Sequence, residues 1–122
     1  MSTFDDSKRD HLDNQFQSAL ALKEAGDLKG AKCVLVQLID DYKYGGWNGR
    51  SAMVGINLAQ IYQREGALDE ATVCFSQALE QSKTSEDIRR SAICVSGLAT
   101  IAQDRGQTNE AESLLNRAYT LL

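Results

Sequence analysis

The stretch EGALDEA at residues 65–71 occurs in two related forms elsewhere in the chain, AGDLKGA at residues 25–31 and RGQTNEA at residues 105–111. The second position of each copy is a glycine, and Gly26, Gly66 and Gly106 are therefore 40 residues apart. A fixed period of this length is typical of stacked structural repeats, because a single repeat cannot bury its own apolar face. The 40-residue period therefore predicts a fold of stacked repeats.

Helical periodicity fills the sequence between the repeated glycines. The stretch SAMVGINLAQIYQRE at 51–65 places apolar residues at steps of three and four, which predicts a helix. The stretch LDEATVCFSQALEQ at 68–81 has the same pattern. Since only the turn around Gly66 separates them, the two helices must form an antiparallel hairpin. The same reasoning around Gly26 and Gly106 predicts six helices in three hairpins.

Small residues recur at equivalent positions of the three copies, where we expect two helices to approach closely. They are Ala19, Ala59 and Ala99 at one position, and Ala31, Ala71 and Ala111 at another. The predicted repeats cover about residues 4–42, 48–82 and 85–122, and together they make one domain over residues 1–122.

These repeated residues resemble the tetratricopeptide repeat family. The family's spacing is most complete in the second repeat, at Leu58, Ala59, Tyr62, Gly66, Glu70, Ala71, Phe75 and Ala78. The third repeat has Ala102 and Leu115 in place of aromatic residues, and the first has Gly30 where glutamate is usual. The resemblance implies an all-α fold, a short right-handed α-solenoid. The period of 40 exceeds the family's usual length of about 34 residues, which indicates a long-period variant.

We expect the additional length in the leading helix, the first helix of a hairpin, of repeats one and three. Thr84 and Asp87 are spaced as a capping pair before a helix from about 85 to 104, and the first helix is expected to begin near Phe4. In repeat two, the glycine-rich stretch YKYGGWNGR at 42–50 is read as an interposed loop, with Asn48 as the cap of the following helix.

That stretch concentrates Tyr42, Tyr44 and Trp47 among three glycines. Trp and Tyr are favoured anchors at interfaces, so these three residues are candidate partner contacts. Alternatively, Trp47 folds back over the junction between repeats one and two. The sequence leaves both interpretations open.

Composition and residue types exclude several function classes. A net charge of −4 and a pI near 4.9 are unlike a nucleic-acid binder, and no apolar run is long enough to cross a membrane. His11 is the single histidine and is expected to be a solvated helix residue. Cys33, Cys74 and Cys94 lack CxxC spacing and are expected to be reduced core residues of a cytoplasmic protein. We therefore expect no enzyme activity, no cofactor and no metal.

The resemblance implies that the leading helices line a concave groove that binds a protein or peptide partner. Asn and Gln side chains in such a groove can bind the backbone of an extended peptide, since each donates and accepts hydrogen bonds. The alternative is an inner face that is merely solvated. The positions carried over are Phe16, Leu20, Lys23, Met53, Ile56, Asn57, Gln60, Gln63, Arg64, Ile93, Ser96, Thr100 and Gln103.

A second class of function is a self-associating scaffold, or a piece of a longer repeat array such as a regulator's sensory domain. Leu114, Ala118 and Leu121 form a stripe on the last helix that is expected to face the position of a fourth repeat. Pairing through this stripe would give a two-fold homodimer.

Overall fold

Six helices follow one another in the computed structural model, which describes the backbone of residues 3–121 and the side chains of residues 6–117 and 120. Each helix packs against the next one along the chain, and the described residues contain no strand. The all-α fold of three antiparallel hairpins, an α-solenoid, is thus confirmed. The helices are α1 (Thr3–Glu24), α2 (Leu28–Tyr44), α3 (Asn48–Arg64), α4 (Leu68–Thr84), α5 (Ile88–Asp104) and α6 (Thr108–Leu121).

Every connection between consecutive helices is a three-residue turn of one type. In the first turn, the Gly26 N–H donates to the Lys23 carbonyl at 3.1 Å and the Asp27 N–H donates to the Leu22 carbonyl at 2.9 Å. This pair of bonds is the Schellman motif, which requires a left-handed residue between the two helices. The left-handed residues are 20 positions apart, with φ between 55° and 88°: Gly26, Gly46, Gly66, Glu86 and Gly106.

The glycine-rich stretch at 42–50 is not an interposed loop, as the sequence suggested. Residues 45–47 form the same turn as the others, and α3 begins directly afterwards. Trp47 is the N-cap residue of α3 and makes no side-chain capping bond, so the predicted role of Asn48 is wrong. The capping pair in repeat three is also wrong, because Thr84 ends α4 and Asp87 alone caps α5, accepting from the Arg90 N–H at 3.0 Å.

Helix α1 has 22 residues, so the leading helix of repeat one carries additional length, as predicted. Helices α2, α3, α4 and α5 all have 17 residues, which corrects the expectation that the leading helix of repeat three is also longer. Helix α5 accordingly begins at Ile88 and not at residue 85.

Small residues permit the closest helix contacts, as predicted. All six repeated alanines are at most 1% exposed. Glycines serve the same purpose where the packing is tighter still. A Cβ atom added to Gly55 would lie 3.3 Å from the Ala78 Cβ, and one added to Gly97 would overlap the Phe75 ring. The first contact joins α3 to α4 within a hairpin, and the second joins α4 to α5 between hairpins.

We predict that Ala71→Leu destabilises the fold by about 1–3 kcal/mol, because a larger side chain would overpack a site without exposed surface. Urea denaturation followed by circular dichroism measures the change. Val73→Leu is the control on the same helix, since Val73 is 54% exposed and its enlargement should change the unfolding free energy by less than about 0.5 kcal/mol. Equal effects of the two variants would contradict this packing.

We predict that Glu86→Gly stabilises the protein by about 0.5–1 kcal/mol. Glu86 is the one non-glycine residue with positive φ in the described chain, and a left-handed conformation costs about 1–2 kcal/mol for a residue with a Cβ, partly offset by the larger backbone entropy of glycine. Thermal melting checks this expectation. Gly66→Ala is the reciprocal control and should destabilise, and a lower melting temperature for Glu86→Gly would refute the argument.

Candidate functional site

The three leading helices form one continuous surface, which we call the inner face and define as the exposed and half-exposed side chains of α1, α3 and α5. Side-chain contacts join α1 to α3 at two places along this surface. Asp13 binds Arg50 near the start of α3, and Lys23 binds Asn57 and Gln60 nearer its end. Helix α3 also contacts α5 directly.

A cleft of about 430 Å³ lies at one end of the inner face, where α1, α3 and α5 meet. Its walls are apolar at Phe16, Trp47 and Met53, and guanidinium groups border it. The Trp47 ring stands edge-on to the Tyr42 ring, with 6.4 Å between their centroids. The residues lining this Trp47 cleft are Asp13, Phe16, Gln17, Trp47, Gly49, Arg50, Met53 and Arg90.

Carboxylates hold both guanidinium groups of the cleft in place. The Tyr42 hydroxyl donates to Asp13 Oδ1 at 2.5 Å, and Arg50 Nε donates to the same oxygen at 3.0 Å. Burial raises the pKa of Tyr42, and the bond to Asp13 raises it further, so this phenol stays a donor. On the opposite side, Arg90 Nη1 donates to Asp87 Oδ2 at 2.6 Å.

The other end of the inner face is polar and centres on Lys23. Its Nζ donates to Asn57 Oδ1 and to Gln60 Oε1, each at 2.9 Å, and Asn57 Nδ2 donates to the Met53 carbonyl at 2.9 Å. These amides are therefore occupied by neighbours of the same chain. Each of these bonds uses one part of the Asn57 amide, which keeps a second N–H and a second lone pair, so binding of a peptide backbone by these amides stays a prediction.

Lys23 and Arg64 are two neighbouring cations on this surface. The pKa of Lys23 is lowered, first by burial and then by the charge of Arg64, with a smaller opposing effect of Glu24. Among the side chains that the structure describes, neither Lys23 nor Arg64 takes part in an ion pair.

Most of the predicted groove residues lie on the inner face. Ile56 is an exception, because it is only 7% exposed and belongs to the core. Phe16 is equally buried but still contributes to the wall of the Trp47 cleft. The exposed or half-exposed members are Leu20, Lys23, Met53, Asn57, Gln60, Gln63, Arg64, Ile93, Ser96, Thr100 and Gln103.

Sequence reasoning missed the cleft residues Asp13, Arg50 and Arg90. A signal for two of them was present, since the tetrapeptides RSAM at 50–53 and RSAI at 90–93 are 40 residues apart. Both arginines therefore occupy the same position of successive leading helices. The pairing of Asp13 with Tyr42 and Arg50 joins three helices and has no local sequence signal.

A family model described as Tetratricopeptide repeat matches residues 50–122, more than half of the chain. The chain belongs to the tetratricopeptide repeat family. It is thus a repeat module of the protein-interaction and scaffold type. The match covers α3 to α6, and the first hairpin, whose Gly30 replaces the usual glutamate, lies outside it. No curated protein matches the chain.

The three aromatic residues near the second turn of this tetratricopeptide repeat protein have separate environments. Tyr42 is fully buried, Tyr44 is 90% exposed at the end of α2, and Trp47 is half-buried against the core. Tyr42 is therefore not available as a partner contact. Trp47 folds back over the junction of the first two repeats, in agreement with one interpretation, and it also borders the cleft. Its role as a partner contact stays a prediction.

The predicted self-association stripe is not oriented as expected at Leu114. This side chain is packed against the core and lies beside Leu98 and Ile101 of α5, so it faces its own hairpin and not a fourth repeat. Ala118 and Leu121 belong to the side chains that the structure does not describe.

The remaining predictions concern metal sites, membranes and single residues. His11 is exposed on α1, as expected. Among the described side chains, no three of the metal-binding types come together. Each described helix is too short or too polar to span a lipid bilayer. Of the cysteines, Cys74 and Cys94 are buried as predicted, whereas Cys33 is exposed, which corrects its assignment to the core.

We predict that one of the three thiols reacts in the native protein and all three after denaturation. Cys33 is exposed, whereas burial raises the pKa of Cys74 and of Cys94 to about 11, which keeps both thiols protonated and shielded. A colorimetric thiol titration at neutral pH, with and without guanidinium chloride, measures both states. Equal reaction rates of three thiols in the native state would contradict the buried positions.

Proposed function

We propose that this tetratricopeptide repeat module binds a segment of a partner protein, an extended peptide or a helix, on its inner face. The observation that carries the proposal is a pair of exposed apolar side chains at equivalent positions. Met53 on α3 is 37% exposed and Ile93 on α5 is 48% exposed, and Met53 borders the Trp47 cleft. A partner that covers them removes apolar surface from water.

The chemistry of the cleft supports the same proposal. Trp and Arg are enriched among the residues that dominate binding energy at interfaces, particularly where a pocket excludes water. Here Trp47 lines the same cleft as Arg50 and Arg90, whose guanidinium groups are bound by Asp13 and Asp87. A preformed site loses little conformational entropy on binding.

The proposed function is non-catalytic and needs no cofactor. We further propose a cytoplasmic location, on the ground that the three cysteines are free thiols. Self-association through Leu114 is not part of the proposal, because that side chain is packed against its own hairpin.

We predict that Met53→Ser combined with Ile93→Ser weakens partner binding at least about tenfold, as expected for the loss of two buried apolar contacts. Peptides selected from a random displayed library against the wild-type protein provide the ligands, and isothermal titration calorimetry gives the affinities. Both side chains are exposed, so the double variant should melt close to the wild-type temperature.

The matched control is Val36→Ser combined with Val73→Ser. These valines are 50% and 54% exposed and lie on α2 and α4, outside the inner face. The control should retain wild-type affinity. If the control loses binding and the inner-face variant does not, the partner binds elsewhere and the proposed function of the inner face is wrong.

A further inference from the structure

The second helices of the three hairpins, α2, α4 and α6, have exposed side chains on the side of the protein away from the inner face, which we call the outer face. Two grooves run along it. The first lies between α2 and α4 and encloses about 230 Å³, and the second lies between α4 and α6 and encloses about 430 Å³. Helix α4 therefore separates two similar grooves.

The two grooves carry opposite charge. Asp40 and Glu80 line the first groove together with one cation, Lys43. Lys83 and Arg117 line the second groove, which has no carboxylate among its described lining residues. All five of these side chains are exposed. The outer face thus presents an acidic groove and a basic groove side by side.

This difference arises at equivalent positions of the 40-residue repeat. Asp40 and Glu80 occupy the same position of α2 and α4, where α6 has Thr120. Arg117 of α6 in turn stands where α4 has Gln77. Two grooves of the same construction therefore differ in sign because of substitutions on α6.

The charges of the grooves are not neutralised by close partners. Among the described side chains, Asp40 and Arg117 take part in no ion pair, and Glu80 and Lys83 pair only with each other, at 3.7 Å. Exposed pairs at this distance contribute little to stability. Both grooves can therefore pair with charges of a partner.

Exposed apolar side chains lie beside the charges. Val36 and Val73 are 50% and 54% exposed. Val36 is one helical turn before Asp40 on the same side of α2. Val73 borders an apolar hollow that includes Cys74, and Cys74 also lines the first groove. A partner that covers the outer face would remove both valines from water.

We propose that the outer face pairs with the outer face of a second copy of this chain, about a two-fold axis parallel to α4. This axis places α4 against α4 of the second copy and α2 against its α6, so that each acidic groove faces a basic groove. Asp40 then lies opposite Arg117 of the second copy, and Glu80 lies opposite its Lys83. Both contacts occur twice, because a two-fold interface is isologous.

The register of the helices brings these charges within reach of one another. An axis parallel to α4 keeps equivalent positions at the same height, so Asp40 is level with Thr120 of the second copy. Arg117 is three residues from that level, about 4.5 Å along the helix axis, a distance that its long side chain covers. The same offset separates Glu80 from Lys83 of the second copy.

The net charge of the chain does not prevent this pairing. Each copy has a net charge of −4, but at physiological ionic strength exposed charges more than about 8 Å apart are largely screened. Opposite charges in direct contact therefore dominate. We expect a weak dimer with a Kd on the order of 10–100 μM, as is typical of small polar interfaces.

The test is sedimentation equilibrium of the full chain over concentrations of about 10 μM to 1 mM, which span the affinities of weak interfaces. The wild type should change from monomer to dimer within this range. Asp40→Lys combined with Glu80→Lys should raise the Kd at least about tenfold, because like charges then face each other. Lys43→Met should lower the Kd, since it removes the cation of the acidic groove.

Charge reversal of the second groove supplies the complementary variant. Lys83→Glu combined with Arg117→Glu should also dimerise poorly alone, because both of its grooves are then acidic. An equimolar mixture with the Asp40→Lys/Glu80→Lys variant should form a heterodimer. The chain with all four substitutions should dimerise again, since its two grooves are of opposite sign and its net charge is that of the wild type.

Matched controls separate this interface from the inner face. Met53→Ser combined with Ile93→Ser should dimerise as the wild type does. Val36→Ser combined with Val73→Ser should weaken the dimer while retaining the affinity for selected peptides. Thermal melting of every variant verifies that the fold is intact, and all of the substituted side chains are exposed.

Three outcomes would overturn the pairing of outer faces. They are a wild type that stays monomeric up to about 1 mM, a dimer with the same Kd in the Asp40→Lys/Glu80→Lys variant, and a variant with all four substitutions that does not dimerise. None of these outcomes affects the proposed function of the inner face, which is tested by peptide affinity.

Discussion

A single left-handed residue in each turn is the constraint on which the rest of the structure depends. The residue after it closes one helix and opens the next: the Asp27 N–H completes the end of α1, and the Asp27 carbonyl accepts the first bond of α2 from the Ala31 N–H at 3.0 Å. Because the same residue ends one helix and begins the next, the connection is too short to separate the two helices. Consecutive helices can then only lie antiparallel and adjacent, and the exposed apolar face of each must be covered by its neighbours.

The position of the cleft follows from the same turn. Residues on either side of a Schellman turn commonly make an apolar contact across it, and in the second turn these residues are Tyr42 and Trp47. The contact draws the indole ring back over the first hairpin, next to Phe16 and Met53. A turn that is required for folding thereby supplies the aromatic wall of the Trp47 cleft. The neighbouring Tyr42 hydroxyl anchors Asp13, and through it Arg50.

The sequence predicted the architecture because small residues recur at the same positions of each 40-residue repeat. Buried alanines tolerate no larger side chain, so they recur where helices cross. The 20-residue period of the turns escaped detection for two reasons. Glu86 occupies one left-handed position in place of glycine, and Gly46 has glycine neighbours that suggest a longer loop.

The inner face was less predictable than the fold. Asn57 and Ile56 are adjacent in sequence, and a rotation of about 100° per residue separates a groove residue from a core residue. Helical periodicity alone does not fix that rotation within a fraction of a turn. The ligands of the Lys23 ammonium come from another helix, 34 and 37 residues away. Such pairings depend on how two hairpins stack, and the local sequence pattern does not predict that stacking.

The arrangement of charges indicates why amides surround Lys23. Elsewhere the chain joins neighbouring repeats with opposite charges: Lys32 binds Glu65, and at the next junction Asp69 binds Arg105 with the signs reversed. A carboxylate in place of the Asn57 or Gln60 amide would pair with Lys23 in the same way and would stabilise the fold. The amides instead leave the Lys23 ammonium without an ion pair among the described side chains.

The amide oxygens of Asn57 and Gln60 orient the Lys23 ammonium without neutralising it. The inner face therefore differs from the outer junctions at Lys23, whose ammonium is held by neutral amide oxygens, whereas Arg50 and Arg90 of the same face are bound to carboxylates.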